Sequence, residues 1–149
     1  ETIVGLKFNT NAGIWRSDEN DMVQLSPDAA EDSDKPTYAA EIKSLSAGKH
    51  FKTLHAQKFS ALDGIDLVPD DYSTCYREQA LEYFVVNPDL EVLFFALYLP
   101  EAIYAEHRIV VITVNREDVA DEVEAQSQTV QEQTEKMKKI VNQLVGDNF

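Results

Sequence analysis

The clearest pattern of apolar positions lies in the second half of the chain. Residues 91–99 form a nearly continuous apolar run rich in aromatic and β-branched side chains, and residues 107–114 form a second run. Such runs are typical of strands that are covered on both faces. Asn87-Pro88-Asp89 predicts a tight turn between the first run and residues 78–86. Three successive strands with short connections predict an antiparallel meander at Glu82–Asn115.

Helical spacing replaces this pattern after the meander. Asn115 is a favourable N-cap, acidic residues crowd the following turns, and lysines lie toward the far end, as the helix dipole favours. The sequence therefore predicts a long C-terminal helix that ends at Gly146. Its C-terminal half is predicted to pack on the sheet through an apolar stripe of Met137, Ile140, Val141 and Leu144.

The first half of the chain predicts shorter elements. Strands are expected at residues 2–8, 22–25 and 37–45, and the acidic, proline-flanked residues 27–36 indicate a solvated loop. Residues 51–59 show helical spacing, although a strand over 49–57 is the alternative, and residues 60–74 indicate a loop. The predicted fold is a single α+β domain over residues 1–149. In it an antiparallel β-sheet packs against a long C-terminal α-helix, with a shorter helix or strand in the middle.

Charge narrows the classes of partner. The chain has 13 basic and 27 acidic side chains, which gives a net charge of −14. A nucleic-acid-binding protein needs a basic surface, and an anionic lipid surface would repel this chain, so we expect neither partner. The longest apolar run, residues 92–99, is far shorter than the roughly 20 residues that span a bilayer, so we expect no membrane insertion of this chain. Cys75 is the one cysteine, which excludes an internal disulfide.

No motif of established chemistry stands out. The chain contains no HExxH, GxSxG, GxGxxG or GxxxxGK, and carboxylate pairs are too common in so acidic a sequence to mark a site. We therefore expect no catalytic residue, no metal and no cofactor, and we expect that the protein is not an enzyme. An acidic, irregular segment followed by tyrosines is the best binding candidate, because carboxylates and tyrosines favour contact surfaces. Its residues are Asp63, Asp66, Asp70, Asp71, Tyr72 and Tyr76.

The order of elements resembles one known family. Short N-terminal strands, the isolated Trp15, an irregular middle, and the run from Ala105 to Thr113 that leads into the last helix are similar to the PsbP-like superfold. This superfold is shared by extrinsic photosystem proteins, a Ran-binding nuclear factor and bacterial DcrB-like lipoproteins. The resemblance implies an α+β fold and a non-enzymatic binding or assembly role, and it implies no individual site residue.

These observations predict a non-catalytic binding or accessory domain with a protein partner. The chain begins at Glu1 rather than methionine, which is compatible with a removed leader, so we expect a bacterial extracytoplasmic protein. An alternative is an acidic immunity-type or inhibitor protein that masks a basic partner, because acidic residues speed encounter with a basic surface. A small enzyme is the third hypothesis.

Overall fold

A four-stranded mixed sheet organises the computed structural model, which describes residues 2–3, 5–71 and 75–145. Its strand order is β5-β6-β7-β8. The inner pair, β6 and β7, is parallel, and both outer pairs are antiparallel. The four strands are β5 (Ala29–Ala30), β6 (Tyr38–Ser44), β7 (Val92–Tyr98) and β8 (Ile109–Asn115).

Two small hairpins precede the sheet. They are formed by β1 (Thr2–Ile3) with β2 (Leu6–Lys7), and by β3 (Trp15–Arg16) with β4 (Gln24–Leu25). The second hairpin leads directly into β5, so it fixes where the chain enters the edge of the sheet.

Helices form the crossover that the parallel pair requires, because parallel strands cannot be joined by a tight turn. The crossover contains α1 (Ala47–Phe59), a single-turn α2 (Gly64–Leu67) and α3 (Tyr76–Val86). The expected middle helix is therefore confirmed over the alternative strand. After β8, a 3-10 turn at Arg116–Val119 leads into α4 (Ala120–Val145).

The core lies on both faces of β7. On one face, Phe95 is buried with Tyr83 and Phe84 of α3. On the other, Phe94 packs with Phe8 in a smaller cluster. The prediction that residues 91–99 form a strand covered on both faces is confirmed.

The α+β class, the antiparallel β7–β8 pair and the long C-terminal helix are also confirmed, but several predicted elements differ. The strand predicted at residues 2–8 is instead the hairpin of β1 and β2, and the loop predicted at residues 27–36 contains β5. Residues 78–86 are helical, because Ala80, Tyr83 and Phe84 bury one helical face against the sheet. The aromatic and β-branched composition of this segment favoured a strand, and packing overrides that preference. β8 is an edge strand whose burial alternates, so it is covered on one face rather than two.

The position of α4 also differs from the prediction. It packs along α3 rather than on the sheet, and Thr134 is its buried residue, bonded to Asn20 at 2.7 Å. Beyond Thr134 the described helix is exposed, including all four predicted contacts: Met137, Ile140, Val141 and Leu144. The apolar stripe exists, but α3 ends before it can cover the stripe's last turns.

Arg116 fixes the end of α3 relative to the sheet. Its guanidinium donates hydrogen bonds to the carbonyl oxygens of Phe84 at 2.8 Å, Asn87 at 2.7 Å and Leu90 at 2.6 Å. It also lies 5.2 Å from the centre of the Phe84 ring. These contacts hold α3 against β7 and so set the position of every side chain that α3 directs toward β6.

Candidate functional site

Two acidic residues occupy facing positions where β5 and β6 run side by side. The register pairs Ala29 with Ala40, which places the preceding Asp28 across from Glu41. The Asp28 Oδ2 atom accepts a hydrogen bond from the backbone N–H of Ile42 at 2.7 Å. This bond fixes Asp28 against β6, although it lies just outside the strand.

Lys43 joins the pair because side chains two apart in a strand share a face. Its Nζ atom lies 2.5 Å from Glu41 Oε1, and its ammonium group lies 5.4 Å from the centre of the Tyr76 ring. Glu41 is 4% exposed. A buried carboxylate is costly unless it is paired, and this ion pair offsets part of that cost.

Two side chains of α3 complete the contacts of Glu41. Gln79 and Tyr83 are four residues apart and therefore share one face of the helix. The Gln79 side-chain amide donates to Glu41 Oε1 at 2.8 Å, and the Tyr83 hydroxyl donates to Glu41 Oε2. Both oxygens of Glu41 are thus held in a defined orientation. We call Asp28, Glu41, Lys43, Gln79 and Tyr83 the β6 cluster.

The electrostatic effect of the β6 cluster is seen in the pKa of Tyr83. Burial raises the pKa of its hydroxyl far above the ordinary value, and the negative charges of Glu41 and Asp28 raise it further. Trp15 packs edge-on against the Tyr83 ring, with 6.1 Å between ring centres. Tyr83 therefore remains a neutral donor to Glu41 across the physiological pH range.

The donor set of the β6 cluster fits one class of ion. In the described part of the chain, no three His, Cys, Asp or Glu side chains come together as metal ligands. Two carboxylates do fit Mg²⁺, which takes one or two carboxylates and completes its shell with water and phosphate oxygens.

The acidic residues predicted as a binding surface do not converge. Asp66 lies 3.8 Å from Arg77, and Asp71 pairs with Lys49 of α1. Asp63 and Asp70 are exposed. Their role in binding stays a prediction.

Of the two tyrosines predicted to contribute to the binding surface, the structure describes one. Tyr72 lies outside the described residues. Tyr76 packs on Phe95, with 5.8 Å between ring centres, and borders the β6 cluster through Lys43. The predicted surface therefore reaches the β6 cluster at Tyr76.

Comparison with solved structures identifies a similar fold. The protein resembles the crystal structure of an alkaline exonuclease, LHK-Exo, from Laribacter hongkongensis, with a TM-score of 0.64, 13% identity and coverage of 97% of this chain. The crystal structure of LHK-Exo in complex with dAMP gives the same TM-score of 0.64 at 14% identity. The chain spans 65% of the length of that exonuclease. No family model matches the sequence, and no curated protein does.

This likeness corrects the predicted function. A non-catalytic binding or accessory domain was expected because no motif of established chemistry was found, with an acidic immunity-type or inhibitor protein as the alternative, but the fold is similar to that of an exonuclease. Neither similar structure is a PsbP-like or DcrB-like protein, so that resemblance stays a hypothesis. Within the described residues, no helix combines the length and apolar character needed to cross a membrane.

Sequence reasoning missed all five residues of the β6 cluster. Asp28 was placed in a solvated loop, and Glu41 and Lys43 lay within the strand predicted at residues 37–45 without any assigned role. One signal was available: an acid and a lysine two apart within a strand that is otherwise apolar. Such a pair needs a partner on the same face, and Gln79 with Tyr83 provides it.

Proposed function

We propose that this protein hydrolyses phosphodiester bonds of nucleic acid, with a divalent cation held by Asp28 and Glu41. The supporting observation is that Asp28 lies across the β5–β6 register from Glu41, which forms an ion pair with Lys43, on a fold similar to that of an alkaline exonuclease. Carboxylates that hold Mg²⁺ beside a substrate phosphate are a recurrent arrangement in phosphoryl chemistry. The proposal replaces the expectations of no metal, no nucleic acid and no enzymatic activity.

Each residue of the β6 cluster has a part in this chemistry. Asp28 and Glu41 supply the oxygen ligands, and Gln79 and Tyr83 orient Glu41. Mg²⁺ bound there would lower the pKa of a coordinated water and offset phosphate charge. The Lys43 ammonium group stabilises negative charge that develops on the phosphate oxygens.

Hydrolysis joins a water oxygen to phosphorus and breaks the bond from phosphorus to one ester oxygen, which takes up a proton. The three side chains that contact Glu41, which are Lys43, Gln79 and Tyr83, hold its ligand oxygens in place before substrate arrives, which limits reorganisation during the reaction. An extracytoplasmic location and a protein partner are not needed for this proposal, and both stay predictions.

A cleavage assay tests the proposal. The whole chain is incubated with end-labelled linear DNA in Mg²⁺ or in EDTA, and products are resolved on a gel. We expect cleavage that requires Mg²⁺ and falls by at least about 100-fold in Asp28→Asn and in Glu41→Gln, as for loss of a group that acts in the transition state. Asp63→Asn, which removes an acid outside the β6 cluster, serves as the matched control.

Two further readouts separate loss of function from loss of fold. Circular dichroism melting checks that each variant is folded, and calorimetry measures Mg²⁺ binding directly. Wild-type protein that is folded but neither binds Mg²⁺ nor cleaves DNA would overturn the proposal. Equal cleavage by wild type and Glu41→Gln would do so as well.

A further inference from the structure

The composition of α1 sets it apart in this acidic protein. The helix carries three lysines and two histidines and no acidic residue. Of the other two helices of more than two turns, α3 contains two acidic residues and α4 contains five. In a chain with 27 acidic side chains, this is a local reversal of charge.

The charges of α1 face solvent. His50, Thr53 and Leu54 form its buried side. The opposite side exposes Lys52, His55, Lys58 and Phe59, which recur at three- or four-residue spacing. We call these four residues the α1 outer face.

Neither lysine of the α1 outer face is neutralised nearby. In the part of the chain that the structure describes, Lys52 and Lys58 form no ion pair within 4.0 Å, whereas Lys49 pairs with Asp71. An exposed lysine without an acidic partner remains available for a phosphate group.

The α1 outer face also carries an exposed aromatic ring. Phe59 is 75% exposed, and its ring centre lies 5.0 Å from that of His55. A large apolar ring in water is unfavourable, and rings exposed beside basic residues are the usual platform on which unpaired bases stack. Bases within a duplex are already stacked and cannot use such a platform.

Charge also differs between the two ends of β6. A cleft of about 530 Å³ near the start of the strand is lined by the acids Asp18, Glu31, Asp32, Asp34 and Asp89, against only Arg16 and Lys35. The other end runs through Glu41 and Lys43 and leads within three residues into α1. A polyanion is therefore repelled at the start of β6, whereas the helix that follows the end of β6 carries lysines and no acidic residue.

We propose that the α1 outer face binds a single strand of nucleic acid that leads to or from the β6 cluster. Lys52 and Lys58 contact phosphates, and Phe59 stacks on one base. The thirteen-residue helix is about 20 Å long, enough to follow a few nucleotides. The choice of ligand rests on the proposed function, but the surface is defined by its own charge, exposure and aromatic ring.

Fluorescence anisotropy with a labelled oligothymidylate, in EDTA so that no cleavage occurs, tests the inference. We expect Lys52→Ala/Lys58→Ala to weaken binding about tenfold or more and to reduce the slope of log K against log salt by about 1.4. Phe59→Ala should weaken binding about tenfold. The matched control is Lys136→Ala/Lys139→Ala, the same charge change on exposed residues of α4, which should leave binding unchanged.

The outcomes separate this inference from the proposed function. If Lys52→Ala/Lys58→Ala binds with the affinity and the salt slope of the wild type, the inference is overturned even if the protein cleaves DNA. Equal weakening by the α4 control would overturn it too, because the effect would then be one of total charge. Tighter binding of duplex with no effect of Phe59→Ala would overturn the single-strand assignment. If Lys52 and Lys58 are required for binding but Glu41→Gln changes no activity, the inference stands and the proposed function fails.

Discussion

The hydroxyl of Tyr83 donates a hydrogen bond to Glu41, a residue 42 positions earlier in the chain. Tyr83 is 1% exposed and Glu41 is 4% exposed, so the bond is formed away from water. A buried carboxylate that loses one of its hydrogen-bond donors has one oxygen atom less well satisfied, which is more costly than the loss of a bond at the surface. This pair links the strand that carries the β6 cluster to the helix that supports it.

Replacing Tyr83 by phenylalanine should therefore lower stability and activity together. We expect Tyr83→Phe to lower the free energy of unfolding by about 1–3 kcal/mol, measured by urea denaturation, and to slow cleavage. Tyr38→Phe is the control, since the Tyr38 hydroxyl donates to the carbonyl of Lys7 in an exposed setting, at 2.9 Å. Equal stability losses in the two variants would contradict a special role for the buried bond.

Replacing Glu82 by glutamine should stabilise the protein to an extent that depends on pH. Burial raises the pKa of its carboxyl above 4.5, and the nearby Glu78 raises it further. Because the folded state raises this pKa, it binds the Glu82 proton more tightly than the unfolded state does. Proton binding at Glu82 therefore stabilises the fold fully below about pH 4.5, and this stabilisation is lost as the pH rises. Glu82→Gln should therefore be more stable than wild type at neutral pH, with the difference closing on acidification.

The measurement for Glu82 is the urea midpoint as a function of pH. Glu132→Gln makes the same charge change at an exposed residue of α4 and controls for relief of the overall negative charge. If both variants shift the midpoint equally at every pH, the local environment of Glu82 is not the cause.

The two adjacent phenylalanines of β7 should differ in their contributions to stability. Phe95 is 0% exposed in the main core, whereas Phe94 is 6% exposed in the smaller cluster with Phe8. We expect Phe95→Ala to lower the free energy of unfolding by about 3–5 kcal/mol and Phe94→Ala by less. Urea unfolding of both variants checks the order, and a larger effect at Phe94 would mean that the two sides of the sheet contribute in the opposite order.

The exposed end of α4 should be dispensable for folding. Beyond Thr134 the described residues are exposed, whereas Val123, Val130 and Thr134 lie along α3. A chain ending after Lys136 should stay soluble and melt cooperatively, while one ending after Gln128 should lose stability because it lacks the Asn20–Thr134 bond. Unfolding of the longer product would show that the last turns are covered in solution.

The sequence predicted the elements whose signal is local. The apolar run of residues 91–99, the strand at 37–45 and the helical spacing of residues 51–59 were all confirmed, because periodicity and turn residues act over a few positions. Residues 78–86 failed, since β-propensity reflects packing on a sheet rather than an intrinsic preference of the backbone.

The site could not be identified by the same means. Asp28 and Glu41 are two of 27 acidic residues, and the spacing of Glu41 from Lys43 is a weak local signal that leaves Asp28 unmarked. What selects them is the register of β5 on β6 and the docking of α3, both of which depend on contacts between residues far apart in the chain. The net charge is an average over the chain, and it conceals the basic composition of α1 on which the proposed nucleic-acid contact rests.

The parallel pairing of β6 with β7 has a consequence for the order in which the molecule assembles. Tyr38 pairs with Val92, so the whole crossover must form and fold back before the first bond of that ladder is made. Closing such a long loop costs entropy that local contacts do not repay, which makes the pairing a slow event. Glu41 receives its donors from α3 only at that stage, so a chain emerging during synthesis holds this carboxylate in water until late in folding. The proposed nuclease activity would then appear only when folding is nearly complete. The rate at which cleavage recovers during refolding would therefore measure the slowest folding step.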